Sequence, residues 1–151
     1  MPTAPSATIR DATEADLPRA LELLRNSNLP IIGVEKCFAN FVVAENENGT
    51  WVGVAGVEIY GKSGLLRSVA VSERFRGLGY GKALVDAVFS KARAKKVETI
   101  YLLTENAKKY FRRFGFEIVE RASIDASVQT SPEFTECCES AVGMRKRLNS
   151  S

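Results

Sequence analysis

Between Leu65 and Lys82 the chain reads LLRSVAVSERFRGLGYGK, with glycines at 77, 79 and 81 following Arg76. Glycines at alternate positions let successive backbone N–H groups converge with no side chain in the way. A helical pattern begins directly after them, so a helix N-terminus adds partial positive charge at the same place. The run Arg76, Gly77, Leu78, Gly79, Tyr80, Gly81 and Lys82 therefore suits a pyrophosphate; the competing reading is a tight strand-to-helix turn whose glycines serve geometry alone. Its spacing fits neither a Walker A loop nor the dinucleotide Gly-x-Gly-x-x-Gly, and no doubly wound frame precedes it.

Glu58 and Arg67 are the charged residues inside two otherwise mostly apolar segments, Trp51 to Tyr60 and Leu65 to Val71. If Gly61-Lys62-Ser63-Gly64 closes a tight hairpin between them, Tyr60 faces Leu65, Ile59 faces Leu66, and Glu58 faces Arg67 directly across the ladder. The pair is either a cross-strand ion pair near the hairpin end or a functional pair beside the glycine turn. Histidine is absent from all 151 residues, which removes Ser-His-Asp and Cys-His catalysis and the commonest metal ligand. Acid-base chemistry must then come from carboxylates, Tyr, Lys, Cys, backbone or water. Cys37, Cys137 and Cys138 lack the spacing of a disulfide framework or zinc site and suit a reducing compartment.

The elements that must carry these residues follow from periodicity. Residues 1–7 form a loose Pro/Ala/Ser-rich leader, and residues 8–148 a single domain. Thr13 with Asp16 resembles a capping box, and Leu17, Leu21 and Leu24 give helix one a core-facing stripe from about Glu14 to Arg25. Ile31 to Phe38 is a second short helix or a loop. Phe41 to Glu45, Trp51 to Tyr60 and Leu65 to Val71 make three consecutive antiparallel strands. Leu84, Val85, Val88, Phe89 and Ala92 give one apolar face to a helix from Gly79 to about Lys95, whose crossover places the strand Thr99 to Leu103 parallel to its partner. A helix with Ala107, Tyr110, Phe111 and Phe114 on one face ends at Gly115. Phe116 to Arg121 and Ala141 to Arg147 are closing strands around a partly helical insertion, Ser123 to Glu139. With 45% hydrophobic residues, a net charge of +3 and no apolar run of membrane length, the chain is expected to be soluble and cytoplasmic, with no nucleic-acid or membrane partner.

The run of Arg76, Gly79 and Gly81 after "SVAV" resembles the acetyl-CoA loop of the GNAT superfamily of N-acetyltransferases. The likeness extends from the leading helix through the meander and loop-helix to the "FRRFGF" ending. It implies the GNAT acyl-CoA N-acyltransferase fold: α/β (α+β), a mixed, mostly antiparallel sheet with helices on both faces and a splayed central strand pair. By the same resemblance, acetyl-CoA is the cosubstrate and no metal is used. Val69, Ala70 and Val71 offer backbone to pantetheine and the acetyl carbonyl, Arg76 to Lys82 surround the pyrophosphate, and Asn106 and Phe111 add cofactor contacts. Many members carry a general-acid tyrosine four residues before the glycine of the "GF" pair, where this chain has Phe111. Tyr110 lies one residue earlier and is turned away by about 100°, so it is expected in the core with its hydroxyl satisfied.

Within the superfamily, "LLTENAKKYFRRFGF", "GVEIYG" and "LLRSVAV" look most like amino-acid N-acetyltransferases. These are the acetyltransferase domain of N-acetylglutamate synthase and the small acetyltransferases associated with arsenic resistance. That resemblance implies a small amino acid or analogue as acceptor, attacking acetyl-CoA directly in a ternary complex; the wider GNAT resemblance is the only ground for expecting a homodimer. Arg67 would hold the acceptor carboxylate and Glu58 would orient the amine and act as base, with Tyr60 and Pro30 as further substrate contacts. A protein or peptide N-acetyltransferase and a non-catalytic acyl-CoA sensor are the alternatives. The three cysteines are expected to be idle thiols rather than a metalloid site.

Overall fold

The protein is described by a computed structural model covering residues 7–148. Of the expected leader, only Ala7 falls within the described residues. They form a seven-stranded sheet of order β1-β2-β3-β4-β5-β7-β6. Its strands are β1 (Thr8–Asp11), β2 (Phe41–Glu45), β3 (Trp51–Tyr60), β4 (Ser63–Val71), β5 (Thr99–Thr104), β6 (Glu117–Val119) and β7 (Val142–Arg147). All neighbours run antiparallel except β4 and β5. The exception follows from the helix between them, which carries the chain back over the sheet before it re-enters.

Helix α1 (Leu17–Asn26) is entered through a 3-10 turn whose capping box joins Thr13 and Asp16, as the spacing predicts. Asp16 also accepts two bonds from Arg10, at 2.8 and 2.9 Å, and one from the Trp51 indole at 3.3 Å, tying the helix start to β1 and β3. These donors favour the ionised carboxylate, and the Arg10 hydrogen bond holds it well below its usual range. On the same face lies α2 (Val34–Cys37), so that of the two readings of residues 31–38, short helix or loop, the structure has a short helix. Ala20, Leu24 and Val34 pack there on Phe41, Val43, Val54 and Ala70. Helix α3 (Tyr80–Ala94) covers the opposite face, setting Leu84, Val85, Val88 and Phe89 on Val42, Val57 and Leu66. Gly56 is dictated by packing, because a Cβ there would lie 2.2 Å from the Phe41 ring.

The β3–β4 hairpin closes more tightly than the sequence suggests. Tyr60 pairs with Ser63, so the turn is Gly61-Lys62 and β4 begins two residues early. Gly61, at φ 65°, takes the left-handed position that such short turns require. Glu58 therefore pairs with Leu65 and Arg67 with Gly56, not with each other. A slip of two residues preserves the face of every side chain, so Glu58 and Arg67 remain diagonal neighbours. Further along, Ser68 and Val69 together oppose Ala55, a bulge in which Ser68 takes φ 62°.

Helix α4 (Lys108–Arg112) and the short helix α5 (Pro132–Thr135), inside the insertion before β7, complete the elements around the open side of the sheet.

Candidate active site

The β4–β5 ladder consists of Ser63 with Thr99, Gly64 with Ile100 and Leu65 with Tyr101, and goes no further. Beyond it the strands splay around a cleft of about 660 Å³, lined by Leu66 to Val71 on one side and Leu102 to Asn106 on the other. The ladder stops at Leu65, ahead of the Ser68 bulge in β4, and the backbone of β4 beyond it has a free edge toward β5. Val69, Ala70 and Val71, expected to offer that edge, all line the cleft, as do Asn106 and Phe111.

At the end of β4 the glycine turn uses φ 78° at Gly77 and φ 95° at Gly79, and no side chain caps the start of α3. The backbone N–H groups of its first turn are thus left for an anion. Arg76 and Gly81 line the cleft; Arg76 also fixes the strand end by donating from Nε to the Val71 carbonyl at 2.9 Å. The side chains between them do other work. Tyr80 is buried, its ring edge-on to Phe75, so only its backbone faces the turn. Leu78 is exposed, and Lys82 pairs with Asp86 at 2.8 Å.

Tyr110 departs from the expected satisfied core position. It is half-buried and lines the cleft, and its hydroxyl lies 2.4 Å from where a Cβ on Gly81 would stand. A glycine at 81 is what admits it. Among the described residues this hydroxyl has no hydrogen-bond partner, and burial pushes its pKa up. Phe111 meanwhile packs edge-on against Phe116 and joins the α3 side of the core.

The acceptor end is built around Arg67, whose side chain is wholly buried. Nη1 donates to Glu58 Oε2 at 2.7 Å, Nη2 to the Pro30 carbonyl at 3.1 Å, and Nε to Ser68 Oγ at 3.1 Å. Glu58 takes a second, short bond from the Tyr60 hydroxyl, whose pKa rises through burial and this neighbour. Pro30 and Arg67 line the cleft, whereas Glu58 and Tyr60 stand behind them, out of its lining. The pair thus forms through a diagonal rather than a direct cross-strand contact, and Glu58 faces Arg67 and Tyr60 instead of the open cleft.

The sequence gives no sign of two further residues there. Glu133, on α5, lines the cleft with its Oε2 3.5 Å from Arg67 Nε. Ser131, Pro132 and Glu133 do spell a helix start, a Ser cap followed by Pro. What the spelling omits is that α5 folds back onto β4. Ser27, just after α1, also lines the cleft, and its Oγ is buried with no partner among the described residues.

A family model described as an acetyltransferase (GNAT) domain matches residues 38–118, more than half of the chain. This chain belongs to the GNAT acetyltransferase family. Its class is that of acetyl-CoA-dependent acyltransferases. An amino-acid acetyltransferase of Mycobacterium tuberculosis is 29% identical over 143 residues, 87% of this chain and 78% of the relative. One from Pasteurella multocida is 28% identical over 127 residues, 79% of this chain but only 29% of the relative's length. Among solved structures, N-acetylglutamate synthase from Neisseria gonorrhoeae, complexed with coenzyme A and N-acetyl-glutamate, superposes with a TM-score of 0.81 at 20% identity. The match covers 95% of this chain and 35% of that one. A Mycobacterium tuberculosis protein in complex with CoA gives 0.80 at 23% identity, covering 94% and 99%. The GNAT fold expected from the sequence is thus found, with helices on both faces and the splayed pair at β4 and β5.

Two adjacent cysteines differ from the expectation of idle thiols: Cys137 and Cys138 are joined by a disulfide. Cys37 is a free thiol whose pKa burial pushes up to about 12, which leaves it a poor nucleophile at neutral pH. Among the described residues no group of His, Cys, Asp and Glu is placed to hold a metal ion, and no helix is long and apolar enough to cross a membrane.

Proposed function

We propose that this GNAT chain transfers the acetyl group of acetyl-CoA to the amine of a small amino acid or amino-acid-like compound, by direct attack within a ternary complex. The observation that carries the acceptor class is the buried Arg67 in the lining of the cleft, flanked by Glu133 and by the Pro30 carbonyl. A buried guanidinium with a cleft-lining neighbour of opposite charge, Glu133, suits a zwitterion better than a lysine side chain on a protein, which brings no carboxylate. The relatives' description as amino-acid acetyltransferases supports the same class.

In this reading the pantetheine chain lies along the free edge of Val69, Ala70 and Val71, and its pyrophosphate meets the backbone between Arg76 and Lys82. Asn106 and Phe111 border it from the other wall. Backbone donors on β4 stabilise the oxyanion as the amine attacks the thioester carbonyl. The acceptor carboxylate is drawn to Arg67, where it replaces the neutral Pro30 carbonyl on Nη2, and Glu58, itself fixed by Tyr60, holds Arg67 in place. The homodimer and the cytoplasmic location belong to the same proposal, and sedimentation tests the first.

The deciding experiment is thiol release from acetyl-CoA with free amino acids, polyamines and peptides offered in parallel. Turnover with an amino acid, and an Arg67→Ala variant with a raised KM for it but an unchanged Kd for acetyl-CoA, is the expected result. Turnover confined to peptides would replace the acceptor class, and tight acetyl-CoA binding with no acceptor in any class would favour a sensor.

A further inference from the structure

The buried charges around Arg67 do not balance. One guanidinium faces two carboxylates, Glu58 at 2.7 Å and Glu133 at 3.5 Å. Glu58 is committed, one oxygen to Arg67 and the other to Tyr60. Glu133 is not: it is only 5% exposed, yet no hydrogen bond from any described residue reaches its carboxylate. Among the described residues only Ser27 Oγ is both sealed from solvent and unpartnered, so the Glu133 oxygens keep an opening, and the residue lines the cleft. A buried carboxylate with spare acceptor capacity in the lining of a substrate cleft calls for a cation or a proton.

We propose that Glu133 is the catalytic base, taking a proton from the acceptor's ammonium, a role the sequence would assign to Glu58. This rests on the acetyltransferase reading above and adds a residue to it. The acceptor enters as R–NH3+, and its charge completes the balance of the Arg67 cluster. Glu133 accepts one proton, and the freed lone pair on nitrogen forms the C–N bond at the thioester carbonyl. The tetrahedral intermediate then collapses, breaking the C–S bond. The second nitrogen proton goes by way of cleft water to the departing thiolate, and Glu133 returns its own to solvent. The sum is amide, CoA thiol and one released proton.

The local chemistry suits this role. Burial raises the Glu133 carboxyl from the ordinary 4.5 to about 7, with Arg67 lowering it and Glu58 raising it. Cys37, on α2, is the other titratable group facing it and is neutral at this pH. A base works best with its pKa near the operating pH. Position is fixed as well: Ser131 Oγ caps the Glu133 N–H at 3.1 Å, and Pro132 packs against Gly33, so close that a Cβ there would stand 2.9 Å from the proline ring.

The test compares Glu133→Gln and Glu58→Gln in the full chain, with the best acceptor from the thiol-release screen. For Glu133→Gln we expect a fall in kcat of about 10²–10⁴-fold, an unchanged Kd for acetyl-CoA, and loss of the rise in kcat/KM centred near pH 7. Glu58→Gln is expected to lose activity through a higher KM while keeping that rise. Glu133→Ala with added formate supplies a check independent of the Gln side chain, with partial recovery expected. A Glu133→Gln enzyme with wild-type kcat and pH profile, or a rise lost in Glu58→Gln instead, overturns the proposal. If the wild type acetylates only peptides or polyamines but needs Glu133 to do so, the amino-acid reading fails and this one stands. If the wild type turns over no acceptor, both fail.

Discussion

Arg67 shows how much a single side chain can organise. Its guanidinium joins β3 through Glu58, the α1–α2 connection through Pro30 and α5 through Glu133. Lysine at this position keeps the charge but loses the planar fork, so it cannot hold these partners at once. Breaking a buried pair by removing a partner costs about 3–5 kcal/mol, and the lysine variant should forfeit part of that. Arg67→Lys is therefore expected to lower Tm by several degrees and raise the acceptor KM, with acetyl-CoA affinity unchanged. Calorimetry and steady-state kinetics check this. If stability falls and the acceptor KM does not move, Arg67 is structural only. Tyr110 is a second case at this scale. Its hydroxyl is unpartnered and sits against Gly81, at the pyrophosphate end of the cleft. A hydrogen bond to the cofactor there is worth only ~1 kcal/mol, so Tyr110→Phe should change acetyl-CoA Kd by less than about tenfold and leave kcat near wild type. A much larger loss of kcat would make it the acid that protonates the CoA thiolate.

Elements set the sign of the next prediction. Alanine in a helix is favoured over glycine by about 1 kcal/mol, and Gly81 lies in the first turn of α3. Alone, however, Gly81→Ala drives a methyl group into the Tyr110 hydroxyl, 2.4 Å away. The single variant should be destabilised, and the Gly81→Ala, Tyr110→Phe pair should recover at least part of the loss, a coupling that a double-mutant cycle of Tm values measures. Additive effects would mean that Tyr110 simply swings aside. What the sequence yields and withholds divides along the same line. The three-strand antiparallel meander, the α3 amphipathic face and the glycine turn are legible because each is a local period or a local backbone demand. The hairpin register is misread by two residues because Ser63-Gly64 reads as turn, whereas in the fold it opens β4 and starts the pairing with β5. Glu133 is illegible for a different reason. The insertion before β7 is made of 3-10 turns and one four-residue helix, with no periodicity to orient it, and only the tertiary fold brings it to Arg67. Tyr80 and Tyr110 exchange their expected places because α3 turns one tyrosine into the core and Gly81 leaves room for the other.

For the whole molecule, two carboxylates pull stability in opposite directions with pH. Asp16 has its pKa depressed by the Arg10 hydrogen bond, so the stability it contributes is present above its unfolded value of 3.8 and is lost as pH falls through the lower folded value. Glu133 has its pKa raised, by burial, from 4.5 to about 7. For a raised carboxyl the sign reverses: its protonated form suits the fold, so its contribution is complete below 4.5 and is lost as pH rises to about 7. Between these limits the protein should be most stable near pH 4.5, with an acid-side fall governed by Asp16 and a neutral-side fall governed by Glu133. Thermal unfolding from pH 8 down to strongly acidic solution, well below 3.8, for the wild type, Asp16→Asn and Glu133→Gln separates the two. Asp16→Asn should flatten the acid limb and leave the neutral one. Glu133→Gln should flatten the neutral limb, and above pH 7 it should be more stable than the wild type although catalytically impaired. Acetyl-CoA should raise Tm in both variants, whereas an amino-acid acceptor should shift the Glu133-dependent limb in the wild type by supplying the missing cation. A neutral limb that persists in Glu133→Gln would move its origin to another group and remove the electrostatic case for a carboxylate waiting at the acceptor end of the cleft.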